Sequence, residues 1–438
     1  MSLLDGKRLR RLASSGWLLP VKRVVSQTLQ QTAERASLHR LEEKLRPLVV
    51  KVDAGAPRRI NLLLPELHRG SLYGGYIAKL TLAQRLAAMG NRVRLVIVDP
   101  GPFSLARLGE ALQGNARFSQ LLEQVEVVYQ GDRKAPLRIS DADAFIATTW
   151  WSAHLAAEVV ESMRGKPFLY LIQEYEPFTY PMGSWFAMAH ASYQYPHHAL
   201  FSSSLLRDFF ELNDIGVFAA QTATTGYLGQ TAFENAIVSY TKPELSASLS
   251  ASAARLQAGK GRLLFYARPE GHAHRNLYEL GYLGLSRAIE DGLFADGWEF
   301  HGIGSERGDQ PLPGGRTLKM LGKLGFDAYR QRLLDYDLGL SLMYTPHPSL
   351  LPLEMAAAGQ LVVTNTCLNK SEQRLEALSG NLIGAVPTLT GVRNGLGSAL
   401  ETSPDIERRR QGAQVAWART WDEAYHDSLM ADVQAWLS

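Results

Sequence analysis

A chain of 438 residues is too long for a single hydrophobic core and fits two domains of ordinary size. Its 46% hydrophobic and 20% charged residues, with no apolar run near the ~20 residues that a membrane-crossing helix needs, exclude disordered and membrane-spanning classes. The single cysteine, Cys367, excludes an intrachain disulfide and a cysteine zinc cluster, and fits a reducing cytosol.

The formal net charge of +3 conceals an asymmetry. Residues 1–60 hold 13 Lys and Arg against 5 Asp and Glu, leaving a net negative remainder. The runs "GKRLRRL" (Gly6 to Leu12) and "VKRVV" (Val21 to Val25) are interleaved with Leu, Val and Trp17, so residues 1–55 read as a basic helical arm. Two readings of the arm stand: contact with an anionic membrane surface at the inner leaflet, or a solvated helix packing on a second subunit of a homodimer. The start lacks the apolar region and small-residue cleavage site of a signal peptide, so a cytoplasmic location, peripheral to the membrane in the first reading, is expected. Nucleic acid is not an expected partner, because the excess is confined to the arm and lacks interleaved stacking aromatics beyond Trp17.

After the arm, short apolar runs alternate with helical stretches. "INLLLPEL" (Ile60 to Leu67) reads as a buried strand, and the glycine pair of "SLYGGYIAKL" leads into a helix from about Tyr76 to Met89. Strands are expected at "RVRLVIV" (Arg92 to Val98), "VEVVY" near Val127, "AFIATT" from Ala144, "PFLYLIQ" from Pro167 and "HALFSSS" from His198. The Ser- and Ala-rich stretch Thr241 to Gly261 reads as a linker. The alternation then resumes with "RLLFYAR", a helix over Asn276 to Asp291, "WEFHGIG", "TLKMLGKL", a helix over Asp327 to Tyr336, "LGLSLM", a helix behind Ser349, and "LVVTNT". This order predicts an α/β fold of two Rossmann-like, doubly wound parallel sheets, over residues 56–245 and 260–405, facing across a cleft. Residues 406–438 read as terminal helices, carrying Trp417, Trp421 and Trp436, that pack back toward the first domain.

Strand ends of the second half carry the candidate chemistry. "YARP" places Arg268 after a strand, "HGIG" places Gly302 and Gly304 after the next, and "LGKLG" places Lys323 in the following loop. In "PSLLPLEMAAAG" (Pro348 to Gly359), Ser349 reads as a helix N-cap with Pro352 in the first turn. The Leu350 and Leu351 amides then point from a positive helix end, which suits a phosphate. Cations at Arg268 and Lys323 suit a diphosphate, and Glu354 suits a ribose hydroxyl. In the first half, Gly74 and Gly75 of "LYGGY" allow close approach of backbone to a ligand. "LIQEYEPFTYP" (Leu171 to Pro181) sets Glu174, Tyr175 and Glu176 beyond a buried strand, and Trp151 lies at another strand end in "TTWWSAH". Carboxylates and rings of this kind suit the hydroxyls and C–H faces of a sugar acceptor.

The stretch from Arg268 to Val363 resembles the donor domain of GT-B glycosyltransferases of the retaining family 4. The pattern is carried by Arg268, Tyr329, Asp335, Asp337, Leu353, Glu354, Ala357, Gly359, Val362 and Val363. "PHPSLLPLEMA" and "QEYEP" are most similar to bacterial rhamnosyltransferases of surface-glycan synthesis. The resemblance implies transfer of rhamnose from dTDP-β-L-rhamnose to a glycan or lipid-linked glycan acceptor, with retention of configuration. Arg268, Lys323, Glu354 and Glu174 would carry catalysis, and Glu174, Glu176, Tyr175 and Trp151 would bind the acceptor. The chain departs from the family where a second glutamate usually stands eight positions before Glu354: Pro346 is found there, followed by His347. No Asp-x-Asp stands where a divalent ion would bridge the diphosphate, so neither metal nor other cofactor is expected. Two alternatives stay open: another GT-B enzyme, such as a nucleotide-sugar epimerase, and a non-catalytic scaffold.

Overall fold

The computed structural model describes residues 34–68, 74–113, 117–163, 166–220, 228–322 and 324–438. The runs Gly6–Leu12 and Val21–Val25, the first two residues of "LYGGY" and Lys323 lie outside the described residues.

Sixteen strands are assigned among them. In the first lobe these are β1 (Val50–Val52), β2 (Ile60–Leu64), β3 (Val93–Ile97), β4 (Val125–Tyr129), β5 (Leu137–Ile139), β6 (Ala144–Ala147), β7 (Phe168–Ile172), β8 (His197–Phe201) and β9 (Gln230–Ala232). In the second they are β10 (Arg262–Tyr266), β11 (Glu299–Ile303), β12 (Gln310–Pro311), β13 (Thr317–Met320), β14 (Leu338–Leu340), β15 (Leu361–Asn365) and β16 (Leu382–Ala385). Two seven-stranded sheets result, ordered β4-β3-β2-β6-β7-β8-β9 and β12-β13-β11-β10-β14-β15-β16. Every pairing is parallel except β12 with β13.

Both faces of each sheet are covered, which is why strands such as Phe168–Ile172 are buried throughout and read as unbroken apolar runs. Side-chain alternation divides each strand between two cores. Ile60, Leu62 and Leu64 enter one core while Leu63 enters the other. In the second lobe Leu263 and Phe265 part from Leu264 in the same way.

Two stretches differ from the expectation. Lys242–Gln257, read as a linker, is a 16-residue helix. The Thr241 hydroxyl and the Glu244 carboxylate cap each other's backbone amides there, with Pro243 in the first turn, and this capping box outweighs the Ser-rich composition. The end of the basic arm is not helical throughout: residues 34–45 are, but β1 pairs in parallel with β5 in a separate two-stranded sheet. The 34–45 helix docks on the first lobe, where the Trp185 indole N–H donates to the Ser37 hydroxyl and Lys44 pairs with Asp99 at 2.6 Å.

The C-terminal helix Asp427–Leu437 lies on the first lobe. Trp421, Tyr425, Leu429, Met430, Val433 and Leu437 join the core formed by β2, β3 and the Gly75–Ala88 helix, and the Tyr425 hydroxyl donates to the Ala78 carbonyl at 3.1 Å. The chain therefore crosses between lobes twice. The two crossings run side by side, because Ile237 N–H donates to the Ala418 carbonyl (3.1 Å) and the Trp417 indole N–H donates to the Asn235 carbonyl (2.7 Å).

Candidate active site

Each sheet reverses its winding at one place: between β10 and β14 in the second lobe, and between β2 and β6 in the first. Ligands of doubly wound sheets bind outside the strands' carboxyl ends at such points. The two carboxyl edges face each other. The turn Glu176–Thr179, which follows β7, packs on the turn Gly271–Asn276, which follows β10. Beyond β8 and β15, Arg374 pairs with Asp208 at 2.8 Å and the Asn369 amide donates to the Leu205 carbonyl at 2.7 Å.

Arg268 stands just beyond β10. Its guanidinium lies 2.8 Å from His272 Nε2, 3.4 Å from the Tyr266 hydroxyl and 3.7 Å from the Glu270 carboxylate. Gly304 follows β11 at φ +102°, and a Cβ there would lie 2.7 Å from the Tyr266 ring and 3.0 Å from Arg268 Cγ. Only glycine lets the loop pass so close to the arginine. Gly302 has a different place: it lies within β11, where a Cβ would meet Met320 Sδ at 2.3 Å, so it serves sheet packing and presents nothing at the strand end.

Glu354 lies in the Leu350–Ala357 helix. Its carboxylate accepts from the Val238 N–H (3.2 Å) and from the Tyr329 hydroxyl. Tyr329 is in electrostatic reach of Tyr266, whose hydroxyl lies 3.4 Å from the Arg268 guanidinium. Burial raises the Glu354 carboxyl from its ordinary value to about 7, against the pull of its two hydrogen bonds. A carboxyl raised in this way stabilises the fold fully below its ordinary value, and that contribution disappears as pH rises through 7. Glu354→Gln is therefore expected to gain stability relative to the parent between pH 5 and 8, by at most roughly 3 kcal/mol. Melting curves across that range check it, and parallel curves for the two proteins would contradict it.

Ser349 precedes this helix but does not cap it. Its backbone is turned to φ 68°, ψ 149°, away from the extended region that N-caps adopt, and its side chain makes no capping bond. Its N–H donates instead to His347 Nδ1 at 3.0 Å. The Leu350 and Leu351 amides begin the helix with no side chain satisfying them. Such strain outside glycine is uncommon and clusters at ligand sites. His347, next to the Pro346 that stands where the family has its second glutamate, is buried, and its pKa is pushed down to about 4 by burial, so it is a neutral acceptor at neutral pH.

Across the cleft, Glu174 is raised to about 7 by burial, opposed by Arg275, the Tyr175 amide, Thr345 and Lys370. Three of these belong to the second lobe, so Glu174 connects the two switch points. Lys370 is wholly buried and donates to the Met343 carbonyl at 2.7 Å, fixing the loop after β14. Glu176 accepts from the Trp150 N–H at 3.1 Å, at the capped start of the Trp150–Ser162 helix, and burial raises its pKa. Gly75 begins the Gly75–Ala88 helix after Gly74 at φ 48°, and Gln173 lies against it: the amide donates to the Gly75 carbonyl at 3.0 Å, leaving no room for a Cβ.

Two expected acceptor residues have other partners. Tyr175 is 5% exposed, packs on Phe178, Tyr193, Phe209 and Phe210, and hydrogen-bonds His190, so it belongs to the core. Trp151 donates to Asp99 at 2.8 Å, and the Lys44 ammonium sits 3.6 Å over its ring, so the docked arm covers that face. Residues that sequence reasoning missed here include Tyr266, His272, Lys370 and Lys79. Lys79 alone left a signal, as a charged residue in a helix stretch that is otherwise buried and apolar or small, Ala78 to Ala83.

Two Rossmann-like lobes joined by a double crossing, with facing switch points, make this a GT-B fold, and solved structures agree. HepE from Anabaena in complex with UDP-glucose matches with a TM-score of 0.55 and 14% identity, over 86% of this chain and 100% of that one. Sucrose-phosphate synthase from Thermosynechococcus elongatus matches at 0.53 and 12%, over 86% and 98%. Within that class, residues 59–204 match the family of the WsaF N-terminal domain and residues 261–397 that of the WsaF C-terminal domain, so the chain carries both WsaF domains in order. It is also 27% identical over 288 residues to the O-antigen biosynthesis protein RfbC of Myxococcus xanthus, covering 66% of this chain. The chain spans 20% of that relative's length.

Proposed function

We propose that the protein is a retaining glycosyltransferase of bacterial surface-polysaccharide synthesis. It would transfer a hexose, rhamnose from dTDP-β-L-rhamnose by the sequence resemblance, to a glycan or lipid-linked glycan. The observation that carries this reading is the set formed by Arg268, Tyr266, Tyr329 and Glu354 at the second lobe's switch point, opposite Glu174. The WsaF domains and the likeness to an O-antigen biosynthesis protein support it. In this reading Arg268, Lys323 and the Leu350 and Leu351 amides hold the diphosphate, Glu354 takes a ribose hydroxyl, and Glu174 and Glu176 orient the acceptor. Positive charge prepared before the bond breaks stabilises the leaving diphosphate, whose oxygen takes the acceptor's proton as the sugar is attacked on the same face.

The donor would need no divalent ion. In support, the aspartates of Asp141–Asp143 and Asp335–Asp337 precede β6 and β14, at the edge opposite the site, where Asp143 binds Arg94 and Asp337 binds Arg255. The reading extends to a cytoplasmic enzyme whose basic arm, residues 1–55, meets the inner leaflet; among the described residues no helix is long and apolar enough to cross a membrane. A homodimer held through that arm is the competing use of the same residues.

Calorimetry with dTDP, UDP, GDP and ADP tests the donor site. Binding of dTDP in preference to the others is expected. Failure of all four to bind at millimolar concentration would reject the site, and preference for UDP would move the donor away from dTDP-rhamnose. Incubation with donor alone separates the epimerase alternative, since epimerisation proceeds without an acceptor.

A further inference from the structure

Lys79 is 5% exposed, in the middle of the Gly75–Ala88 helix and at the first lobe's switch point. A buried ammonium normally has hydrogen-bond acceptors around it, because desolvation is otherwise costly. Lys79 has none among the described residues. Its Nζ lies 4.7 Å from the Tyr76 ring centroid, and the charges that act on it are those of Glu176 and Asp99. Asp99 is already committed: it accepts from Lys44 at 2.6 Å and from the Trp151 indole at 2.8 Å. Glu176 accepts from the Trp150 N–H through one oxygen. The other charges in reach of Glu176 are Glu174 and Lys44. Among the described residues, what remains is one ammonium with donors to give and one carboxylate with lone pairs to fill, beside an aromatic ring.

Resting on the transferase reading above, we propose that Lys79 and Glu176 form the acceptor subsite and that it takes a neutral, hydroxyl-bearing sugar ring, not an anionic headgroup. A neutral hydroxyl can accept from Lys79 and donate to Glu176 at once, and Tyr76 offers its ring to the sugar's C–H face. A phosphate or carboxylate would instead stand against Glu176, Asp99 and Glu174. Three of the four cations nearby are spoken for, Lys44 by Asp99, Lys370 by the Met343 carbonyl and Arg275 by the His272 carbonyl. Burial lowers the Lys79 pKa and raises that of Glu176, as expected of charges that lack a partner until a ligand arrives.

Ligand-observed NMR titration of the full chain with methyl hexopyranosides, and with the matching methyl hexuronides, tests this. At least one neutral glycoside is expected to bind more tightly than its hexuronide, and Lys79→Met and Glu176→Gln are each expected to weaken it at least tenfold. Both substitutions keep side-chain volume and remove a buried charge, and melting temperatures verify that they fold. Tighter binding of hexuronides, absence of binding by every neutral glycoside, or less than twofold weakening in both variants would overturn the proposal. Calorimetry with nucleoside diphosphates on the same samples keeps the two readings apart: loss of nucleotide binding by the parent protein sinks the transferase reading, whereas a failed acceptor series with nucleotide binding intact sinks only this one.

Discussion

Replacing Arg268 by alanine is expected to lower turnover by roughly 100-fold or more, the scale seen when one preorganised charge-stabilising group is removed from an active site. Stability should change little. The guanidinium is partly solvent-accessible, and its contacts, to His272, the Tyr266 hydroxyl and Glu270, are of the surface kind worth about 0–1 kcal/mol. In the proposed mechanism the guanidinium would stand where charge appears when the diphosphate leaves, hence the large expected effect, and Gly304 lets the neighbouring loop approach it without a side chain between. Steady-state kinetics beside a melting curve makes the check. Parent-like turnover would remove Arg268 from the site, and a melting point lowered by many degrees would show that its role is structural.

Asp337→Ala should do the opposite, with a loss of about 3–5 kcal/mol in stability, as when a buried ion pair is broken on one side. Asp337 is fully buried at the start of β14 and accepts from the Ser252 hydroxyl, Arg255 (2.8 Å) and the Arg262 N–H (2.8 Å). Arg409, also buried, donates to Ser252 and to the Gly359 carbonyl at 2.8 Å. One carboxylate thus anchors the Lys242–Gln257 helix, β10 and the Ile406–Gly412 helix, and removing it strands two guanidiniums. Denaturant unfolding measures the loss. A change under about 1 kcal/mol, the value of an exposed pair, would show the network to be dispensable.

The sheets were legible because parallel strands covered on both faces read as near-continuous apolar runs, as in Phe168–Ile172. Three-residue strands such as β1 and β5 carry no comparable pattern. The Lys242–Gln257 helix was legible in principle, since Thr241 and Glu244 stand at capping-box spacing, but its Ser and Ala residues suggested a linker. For the site, strand ends named Arg268 and the stretch before the Leu350–Ala357 helix. Chain order could not name Lys370 or Arg275 as neighbours of Glu174, or Tyr329 as the partner of Glu354, because each meeting is made by the packing of separate elements. The arm misled in the same way: nothing local says that Lys44 covers Trp151.

Because Ile237 is tied to Ala418 and Trp417 to Asn235, the lobes hang on two pins set next to each other. A single strand would let one half swivel about its own axis, whereas paired pins leave a hinge that swings chiefly in one plane. Such a hinge would keep Glu174 in line with the same three residues, Arg275, Thr345 and Lys370.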